Sequence, residues 1–374
     1  MERCEEVGRA GFSPEGLNHA YGLMEEAVAS GGLMGGAIQV ARGGQLLAPV
    51  VFGRREVEKD GALVEADTMF LVASITKPFV VAAVMKLVEQ GVLALDDPVA
   101  TIVPEFGGQG KDRVNVRHLM THTSGLPDQL PDNLVLRKQL APHNRFVERT
   151  CELTLSFVPG TRISYQSMGI AMLGEIVERL SGRSLRDFMK EELFGPLGLE
   201  GISLGRQAST RDRESEVMIP GGGFQYGDSE SDYGWNSEYW RGFGAPWGGM
   251  LTTTEDLVKL MGFCLDAEGE VASARVLSSA TLREMTTDQT SVMPGLPESE
   301  KLRQRWGLGF RLNGQGSWFG DLASWDTFGH SGATGTVAWA DPETDVVCVV
   351  FTNDPSGATP LRARISNAVA TAVL

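Results

Sequence analysis

Cysteine is scarce in this 374-residue chain. The four cysteines are Cys4, Cys151, Cys264 and Cys348. They are widely separated and include no Cys-x-x-Cys, so we expect no disulfide framework and a reducing compartment. Among five histidines, His118 and His122 are spaced i, i+4, but no acidic residue lies between them and a helix-breaking Thr-Ser-Gly-Leu-Pro follows. We interpret this pair as structural hydrogen-bonding groups around a bend, and we predict no metal and no cofactor.

Long apolar runs and an excess of positive charge are also missing. No stretch reaches the roughly 18 apolar residues of a membrane-spanning helix, and the charged first ten residues do not resemble an export signal. Forty-eight acidic against 33 basic residues give a net charge of −15, which argues against nucleic-acid and anionic-membrane partners. If the sequence is complete, we expect a cytoplasmic protein with a small-molecule partner; whether it forms a homo-oligomer stays open.

The chain contains one Ser-x-x-Lys, Ser74-Ile75-Thr76-Lys77, where an apolar strand-like run gives way to a helical pattern. Residues i and i+3 share one face of a helix, so this spacing puts a hydroxyl beside an amine. A lysine can activate the serine if its surroundings lower its pKa from about 10.4 toward roughly 7–8. The alternative is a helix N-cap serine with a solvated lysine.

Two further motifs accompany this one. Tyr165-x-Ser167 follows a Pro-Gly turn and precedes helical spacing, so we expect Tyr165 at a loop-to-helix junction where its phenol reaches a cleft. A half-buried tyrosine of the core is the alternative. His330-Ser331-Gly332 enters a β-branched, strand-like run that can offer a backbone N–H to an oxyanion. Residues 329–333 also approach the Gly-x-Ser-x-Gly elbow of α/β-hydrolases, but alanine replaces the last glycine and a strand pattern follows where the elbow needs a helix.

The three motifs in this order resemble those of the penicillin-recognising serine hydrolases, which include serine β-lactamases, D-Ala-D-Ala peptidases and related esterases. The chain is most similar to the class C-like branch, which contains the family VIII carboxylesterases. Further similar blocks lie at residues 93–98, 119–127, 248–253 and 306–310. The resemblance implies that Ser74 is the nucleophile, Lys77 its proton acceptor or that acceptor's partner, and Tyr165 the proton shuttle. It also implies an oxyanion hole formed by the backbone N–H groups of Ser74 and Ala333.

Two positions depart from the family pattern. Ser167 stands where the second motif often ends in asparagine, and His330 stands where β-lactamases usually have a lysine for the substrate carboxylate. Both changes favour a neutral ester over an anionic β-lactam, although amide substrates are not excluded. We therefore expect a carboxylesterase acting on short-chain or bulky neutral esters. The alternatives are a D-amino-acid peptidase or amidase, a weak β-lactamase, an acyltransferase and, last, a non-enzymatic scaffold.

The hydrophobic patterning predicts an α/β (α+β) fold with an antiparallel sheet built from both termini and flanked by helices. Strands are predicted at 37–41, 45–52, 336–340 and 346–352, a first helix beginning near Ser13-Pro14, and a closing helix at 358–374. We assign residues 1–78 and 245–374 to the sheet domain and 79–244 to an inserted, mostly helical domain. The family resemblance implies the same picture, with the active site between the two domains.

Residues 224–247 are unusually aromatic and show no helical periodicity. The segment contains Phe224, Tyr226, Tyr233, Trp235, Tyr239, Trp240, Phe243 and Trp247. Because ligand pockets favour aromatic linings, we hypothesise that Tyr233 and Trp240 line the substrate pocket. The alternative is a long loop whose aromatic side chains pack against the core and hold it in place.

Overall fold

The computed structural model describes residues 1–58, 60–219, 231–265, 276–314, 318–355 and 358–374. Its strands are β1 (Glu2–Cys4), β2 (Gly35–Arg42), β3 (Gln45–Leu47), β4 (Val50–Gly53), β5 (Phe70–Leu71), β6 (Ile202–Leu204), β7 (Met250–Thr252), β8 (Arg311–Leu312), β9 (Phe328–Gly332), β10 (Thr336–Asp341) and β11 (Val346–Thr352). The α-helices are α1 (Pro14–Ala29), α2 (Thr76–Glu89), α3 (Val99–Ile102), α4 (Val116–Met120), α5 (Asn133–Lys138), α6 (His143–Cys151), α7 (Met168–Ser181), α8 (Leu185–Met189), α9 (Glu238–Phe243), α10 (Thr254–Leu265), α11 (Ser279–Thr286), α12 (Glu298–Arg303) and α13 (Ala358–Thr371). Short 3₁₀ turns lie at Ala73–Ile75, Pro104–Phe106, Lys111–Arg113 and Ala208–Arg213, and a π-helical turn at Lys190–Phe194.

Strands from both ends of the chain form one mostly antiparallel sheet. Its order is β1-β3-β2-β11-β10-β9-β8, with β4 also paired to β2, and only the β1–β3 pair is parallel among these pairings. At the centre, Cys348 of β11 lies between Val40 of β2 and Trp339 of β10. The predicted fold class is therefore confirmed.

Helices cover both faces of this sheet. Along β11, Val346, Cys348 and Val350 join the core under α1 and α13, whereas Val347 and Val349 join the core on the opposite face. This alternation follows from the two-residue repeat of a strand. Helix α10 packs on the second face, against β2, β10 and β11. Within the described ranges, no helix combines the length and apolar character needed to cross a bilayer.

The predicted strand at 45–52 is two strands in the structure. The break falls at Ala48-Pro49, and β3 and β4 pair with different parts of β2. Proline lacks the N–H that a continuous ladder needs, which explains the interruption. The predicted first helix is confirmed, because Ser13 Oγ accepts a hydrogen bond from the Gly16 N–H at 3.3 Å with Pro14 in the first turn.

A second, three-stranded sheet has the order β5-β7-β6. It joins β6, from the middle of the chain, to β5 and β7, so it crosses the proposed boundary between the sheet domain and the inserted domain. The division at residues 79 and 244 therefore stays a prediction. The small sheet holds the segment just before Ser74, because the Val72 N–H donates to the Met250 carbonyl at 3.0 Å.

Candidate active site

Ser74 lies in the 3₁₀ turn Ala73–Ile75, directly before α2. The preceding residue, Ala73, has a φ of +45°, in the left-handed region that few non-glycine residues adopt. Strained backbone of this kind concentrates at functional sites. The N-cap of α2 is Ile75, so the alternative of an N-cap role for Ser74 is wrong.

Lys77 is completely buried in the first turn of α2. Its Nζ lies 2.7 Å from Ser74 Oγ and 2.7 Å from the carbonyl oxygen of Trp247. Burial lowers the pKa of Lys77 from 10.5 to about 7, while the carboxylate of Asp128 acts in the opposite direction. Near neutral pH the amine is therefore partly unprotonated and can accept the Ser74 proton while donating to the Trp247 carbonyl.

Tyr165 and His330 complete a cluster around this pair. The Lys77 Nζ lies 4.9 Å from the centroid of the Tyr165 ring, and the Tyr165 hydroxyl lies 3.4 Å from His330 Nε2. His330 Nδ1 is 2.7 Å from the Ser331 carbonyl oxygen. A carbonyl only accepts, so Nδ1 carries the proton and Nε2 of the neutral ring can accept the Tyr165 O–H. Burial, followed by the nearby Lys77, lowers the pKa of His330 to about 3, so this ring is neutral near pH 7.

Strand β9 packs edge-on against the backbone before Ser74. A Cβ on Gly332 would lie 2.2 Å from the Val72 carbonyl oxygen, so only glycine allows this approach. The hydroxyl of Thr334 donates to the Leu71 carbonyl at 2.5 Å, beyond the exposed turn residue Ala333. Ala333 thus lies one residue from the Gly332–Val72 contact. Because β9 leads through a turn into β10, the strand–turn–helix that the α/β-hydrolase elbow requires is absent from this described segment, and the elbow alternative is wrong.

Asp128 is a site residue that the sequence reasoning missed. Ser167 Oγ donates a 2.6 Å hydrogen bond to Asp128 Oδ1. The serine that stands where the family often has asparagine therefore faces a carboxylate. The two residues are 39 positions apart, and no local motif connects them. Asp128 brings a negative charge near Lys77 and favours its protonated form.

His122 holds the Tyr165 segment on both sides. Its carbonyl accepts the Ser164 N–H at 2.9 Å, and its Nδ1 accepts the Gln166 N–H at 3.2 Å. The His122 ring lies 4.7 Å from that of Tyr165 and 4.2 Å from that of Trp306, measured between centroids. Its φ is +60°, and burial lowers the pKa of the imidazole well below its usual value. The interpretation of His122 as a structural hydrogen-bonding group agrees with these bonds, and the segment that it holds includes Tyr165.

A pocket of about 250 Å³ opens beside Tyr165. Its lining residues are Tyr165, Arg303, Gln304, Trp306, Arg311 and Trp318. Arg311 is 6% exposed, and burial, followed by repulsion from Arg303 and Arg305, lowers the pKa of its guanidinium to about 10. Its Nε and the Trp306 Nε1 are buried and have no hydrogen-bond partner among the described residues. The pocket thus presents a surplus of donors, one of them on a cation.

The described part of the aromatic segment reaches Lys77 through Trp247, whose carbonyl accepts from Lys77 Nζ at 2.7 Å, and none of its residues lines the pocket beside Tyr165. Trp240 is buried, with the Arg137 guanidinium 4.0 Å from its ring centroid, and the Tyr233 carbonyl accepts from the same Arg137 at 2.9 Å. Contrary to the expected absence of helical structure, residues 238–243 form α9, capped by Ser237, whose hydroxyl accepts the Trp240 N–H. Phe224 and Tyr226 lie outside the described residues. The pocket-lining role of Tyr233 and Trp240 stays a prediction. The contacts described here are those expected of the alternative, a loop whose aromatic rings pack on the core.

Comparisons with known proteins agree with this arrangement. Residues 22–372 match the family Beta-lactamase. The chain is 30% identical over 302 residues to Penicillin-binding protein 4 of Amycolatopsis lactamdurans, covering 78% of this chain and 74% of that protein. A penicillin-binding protein homologue from Caulobacter crescentus superposes with a TM-score of 0.79 at 24% identity, covering 97% of this chain and 99% of that one. A family VIII carboxylesterase gives 0.77 at 22% identity, covering 96% and 98%.

The family match covers most of the chain, and together with the fold it defines the protein as a serine hydrolase. The chain belongs to the beta-lactamase family, which also contains the penicillin-binding proteins. The resemblance drawn from the three motifs is confirmed. Both solved structures are under 25% identical and support the fold alone.

Proposed function

We propose that the chain hydrolyses esters through an acyl-enzyme on Ser74. The observation that carries this proposal is the fully buried Lys77 amine 2.7 Å from Ser74 Oγ. In its neutral form Lys77 accepts the Ser74 proton as Oγ attacks the ester carbonyl, and the proton reaches the leaving alcohol through Tyr165. The N–H groups of Ser74 and Ala333 receive the developing oxyanion, and one such donor typically contributes about 3–4 kcal/mol.

Deacylation uses the same groups in reverse. Tyr165, held between Lys77 and the neutral His330, passes its proton to the neutral Lys77 amine as it takes one from the water that attacks the acyl carbonyl, and Lys77 then protonates Ser74 Oγ as the acyl–oxygen bond breaks. Splitting the reaction at a covalent intermediate replaces one difficult step with two easier ones. His330 is neutral, and Ser167 faces the carboxylate of Asp128, so neither motif offers a positive charge to a substrate anion. This supports a neutral ester as the substrate.

The test is hydrolysis of p-nitrophenyl butyrate by the wild type and by Ser74→Ala. We expect turnover by the wild type and a rate near background for Ser74→Ala. The matched control is Ser291→Ala, which changes an exposed serine and should keep the full rate. Intact-mass measurement after reaction with a fluorophosphonate should show one adduct on the wild type and none on Ser74→Ala. Equal turnover by the wild type and Ser74→Ala would remove Ser74 from the mechanism.

A second candidate, a D-amino-acid peptidase or amidase, is favoured by Arg311. Its buried guanidinium lines the pocket beside Tyr165, and none of its described contacts is an ion pair. A substrate carboxylate is the acceptor that such a group needs, and a charge-assisted hydrogen bond contributes about 1.5–3 kcal/mol. In that case Arg311, in the pocket beside Tyr165, would bind the carboxylate of the leaving group.

Phenyl acetate and 3-carboxyphenyl acetate separate the two candidates, because they differ only in a carboxylate on the leaving group. If Arg311 binds that carboxylate, Arg311→Gln should reduce kcat/KM for the carboxylated ester about 10- to 100-fold and leave phenyl acetate within about twofold. Arg145→Gln removes an exposed arginine and serves as the control. Equal loss on both esters would count against the peptidase candidate.

A further inference from the structure

Among the residues that the structure describes, one cluster outside the Ser74 site brings three metal-ligand atoms together. His143 is the first residue of α6, and Glu175 and Glu178 lie one turn apart on α7. Residues i and i+3 share a helix face, so α7 presents two carboxylates toward the start of α6. One ligand atom from each of the three side chains lies within 4.8 Å of the other two. We infer that His143, Glu175 and Glu178 form a binding site for a divalent zinc-like metal ion that ties α6 to α7.

Each ligand is oriented by a bond to its other polar atom. His143 Nε2 lies 3.1 Å from the Ala171 carbonyl, so this nitrogen donates and Nδ1 keeps its lone pair. Glu178 Oε1 accepts the Leu185 N–H at 2.8 Å, and Glu175 Oε1 accepts from Arg179 Nε at 2.6 Å. One oxygen of each carboxylate therefore remains for a cation. Metal-binding histidines characteristically donate their second ring nitrogen to a carbonyl or carboxylate, which fixes the ring in this way.

The atoms that face one another are all acceptors. The His143 Nδ1 lone pair and Glu178 Oε2 are 4.0 Å apart, too far for a direct hydrogen bond. A tetrahedral zinc ion with bonds of about 2.0–2.2 Å holds its ligand atoms roughly 3.3–3.6 Å apart, so His143 and Glu178 would have to close on the ion by roughly half an ångström. The two carboxylates repel each other, and Arg179 offsets only one of the two charges.

The donor set selects the metal. One imidazole nitrogen with two carboxylate oxygens suits zinc and neighbouring first-row ions better than magnesium or calcium, which take oxygen ligands alone. The side chains of His143, Glu175 and Glu178 are 18%, 15% and 37% exposed, so an ion can enter and water can occupy the remaining position.

The proposed metal site is separate from the Ser74 site but lies close to a residue that contacts Lys77. The His143 ring lies 6.4 Å from that of Trp247, whose carbonyl accepts from Lys77. A bound ion would hold α6 against α7, the helix that begins three residues after Tyr165. We therefore expect a stabilising role, and the proposal does not depend on the esterase proposal. No local sequence motif predicts the metal site, because its ligands come from two helices. The proposal therefore differs from the sequence-based expectation of no metal.

The experiment uses chelator-treated full-length protein, titrated with zinc chloride alone by calorimetry and by thermal unfolding. We expect one zinc ion per chain and a Tm that rises with zinc concentration. Glu178→Gln, which keeps the shape of the side chain, and His143→Ala should each weaken this binding at least 10-fold. His19→Ala, which removes an exposed histidine, should bind zinc as the wild type does.

Cobalt binding separates this site from the free cysteines, because a thiolate ligand adds an intense near-ultraviolet charge-transfer band that the proposed ligands lack. A cobalt spectrum without that band, lost in Glu178→Gln, supports the proposal. Zinc affinity unchanged in both His143→Ala and Glu178→Gln would overturn it, as would a wild-type Tm unaffected by zinc. In either of those cases the cluster is an ordinary histidine–glutamate pair.

Discussion

Lys77 is an ionisable residue held in a fully buried position, and its pKa falls to about 7. Since only the neutral amine can take the Ser74 proton, the fraction of reactive enzyme should rise with pH. We predict that kcat/KM for a neutral ester increases about tenfold per pH unit below pH 6 and levels off above about pH 8. His330, with a pKa of about 3, does not titrate in this range.

Released phenol should be quantified by chromatography between pH 5 and 9, because its absorbance changes with pH. The carboxylate of Asp128 favours the protonated amine, so Asp128→Asn should move the rising limb to lower pH. A rate that is level from pH 5.5 to 9 would rule out Lys77 as the group whose deprotonation limits the reaction.

His122 is expected to act through Tyr165. Replacing it with alanine removes the acceptor for the Gln166 N–H and the ring packed on Tyr165, so the phenol loses its fixed position. We predict that His122→Ala lowers kcat about 10- to 100-fold with little change in KM, against about 10²- to 10⁴-fold for Tyr165→Phe. His122→Asn should recover part of the loss, because asparagine tolerates the left-handed backbone and offers an acceptor.

A double-mutant cycle distinguishes positioning from general destabilisation. If His122 acts through the Tyr165 hydroxyl, adding His122→Ala to Tyr165→Phe should cost little further activity. Losses that multiply in full would show that His122 contributes independently of Tyr165.

At the scale of elements, the contact between β9 and the segment before Ser74 sets the distance between Ser74 and Ala333, whose backbone N–H groups we propose as the two donors of an oxyanion hole. Gly332→Ala would place a methyl group against the Val72 carbonyl, so β9 must move away from that segment. We predict a loss of kcat of about 100-fold, measured on p-nitrophenyl butyrate. The control is Gly22→Ala in α1, where an added Cβ meets no atom within 4 Å and the helix should gain about 0.5–1 kcal/mol. Full activity in Gly332→Ala would show that this contact does not position the oxyanion hole.

Local patterns predicted the elements that depend on local sequence. The strand at 346–352 and the serine–proline start of α1 could both be predicted directly, and so could the spacing of Ser74 and Lys77. Side-chain partners contributed by remote segments could not. Asp128 reaches Ser167 across 39 positions, and His122 reaches Gln166 across 44. These pairings arise from how the helices pack, and single-sequence periodicity carries no information about which loops meet.

For the molecule as a whole, the two chain ends close the fold. The Ser13 N–H donates to the Ala372 carbonyl at 2.7 Å, and the central strands β2 and β11 come from opposite ends of the chain. Arg362 of α13 donates to the Gly332 carbonyl at 3.1 Å, so the last helix supports β9 directly. The site thus lies where the sheet meets α2, inside the largest core, and placing an amine there opposes folding.

The burial that makes Lys77 reactive therefore also lowers the stability of the fold. An unfolded chain holds Lys77 with a pKa of about 10.4, whereas burial in the folded chain lowers that pKa to about 7. Below pH 7 both states are protonated and the folded state bears the full desolvation penalty; between pH 7 and 10 only the unfolded state stays charged, so the penalty shrinks as pH rises. Lys77→Met should therefore be inactive yet more stable, by about 3–10 °C in Tm at pH 6, with the gap narrowing by pH 9.5. Calorimetry at both pH values measures this, with Lys190→Met as the exposed control. A gap that is constant with pH, or a less stable Lys77→Met, would show that Lys77 is not held at the lowered pKa from which its role as a base is argued.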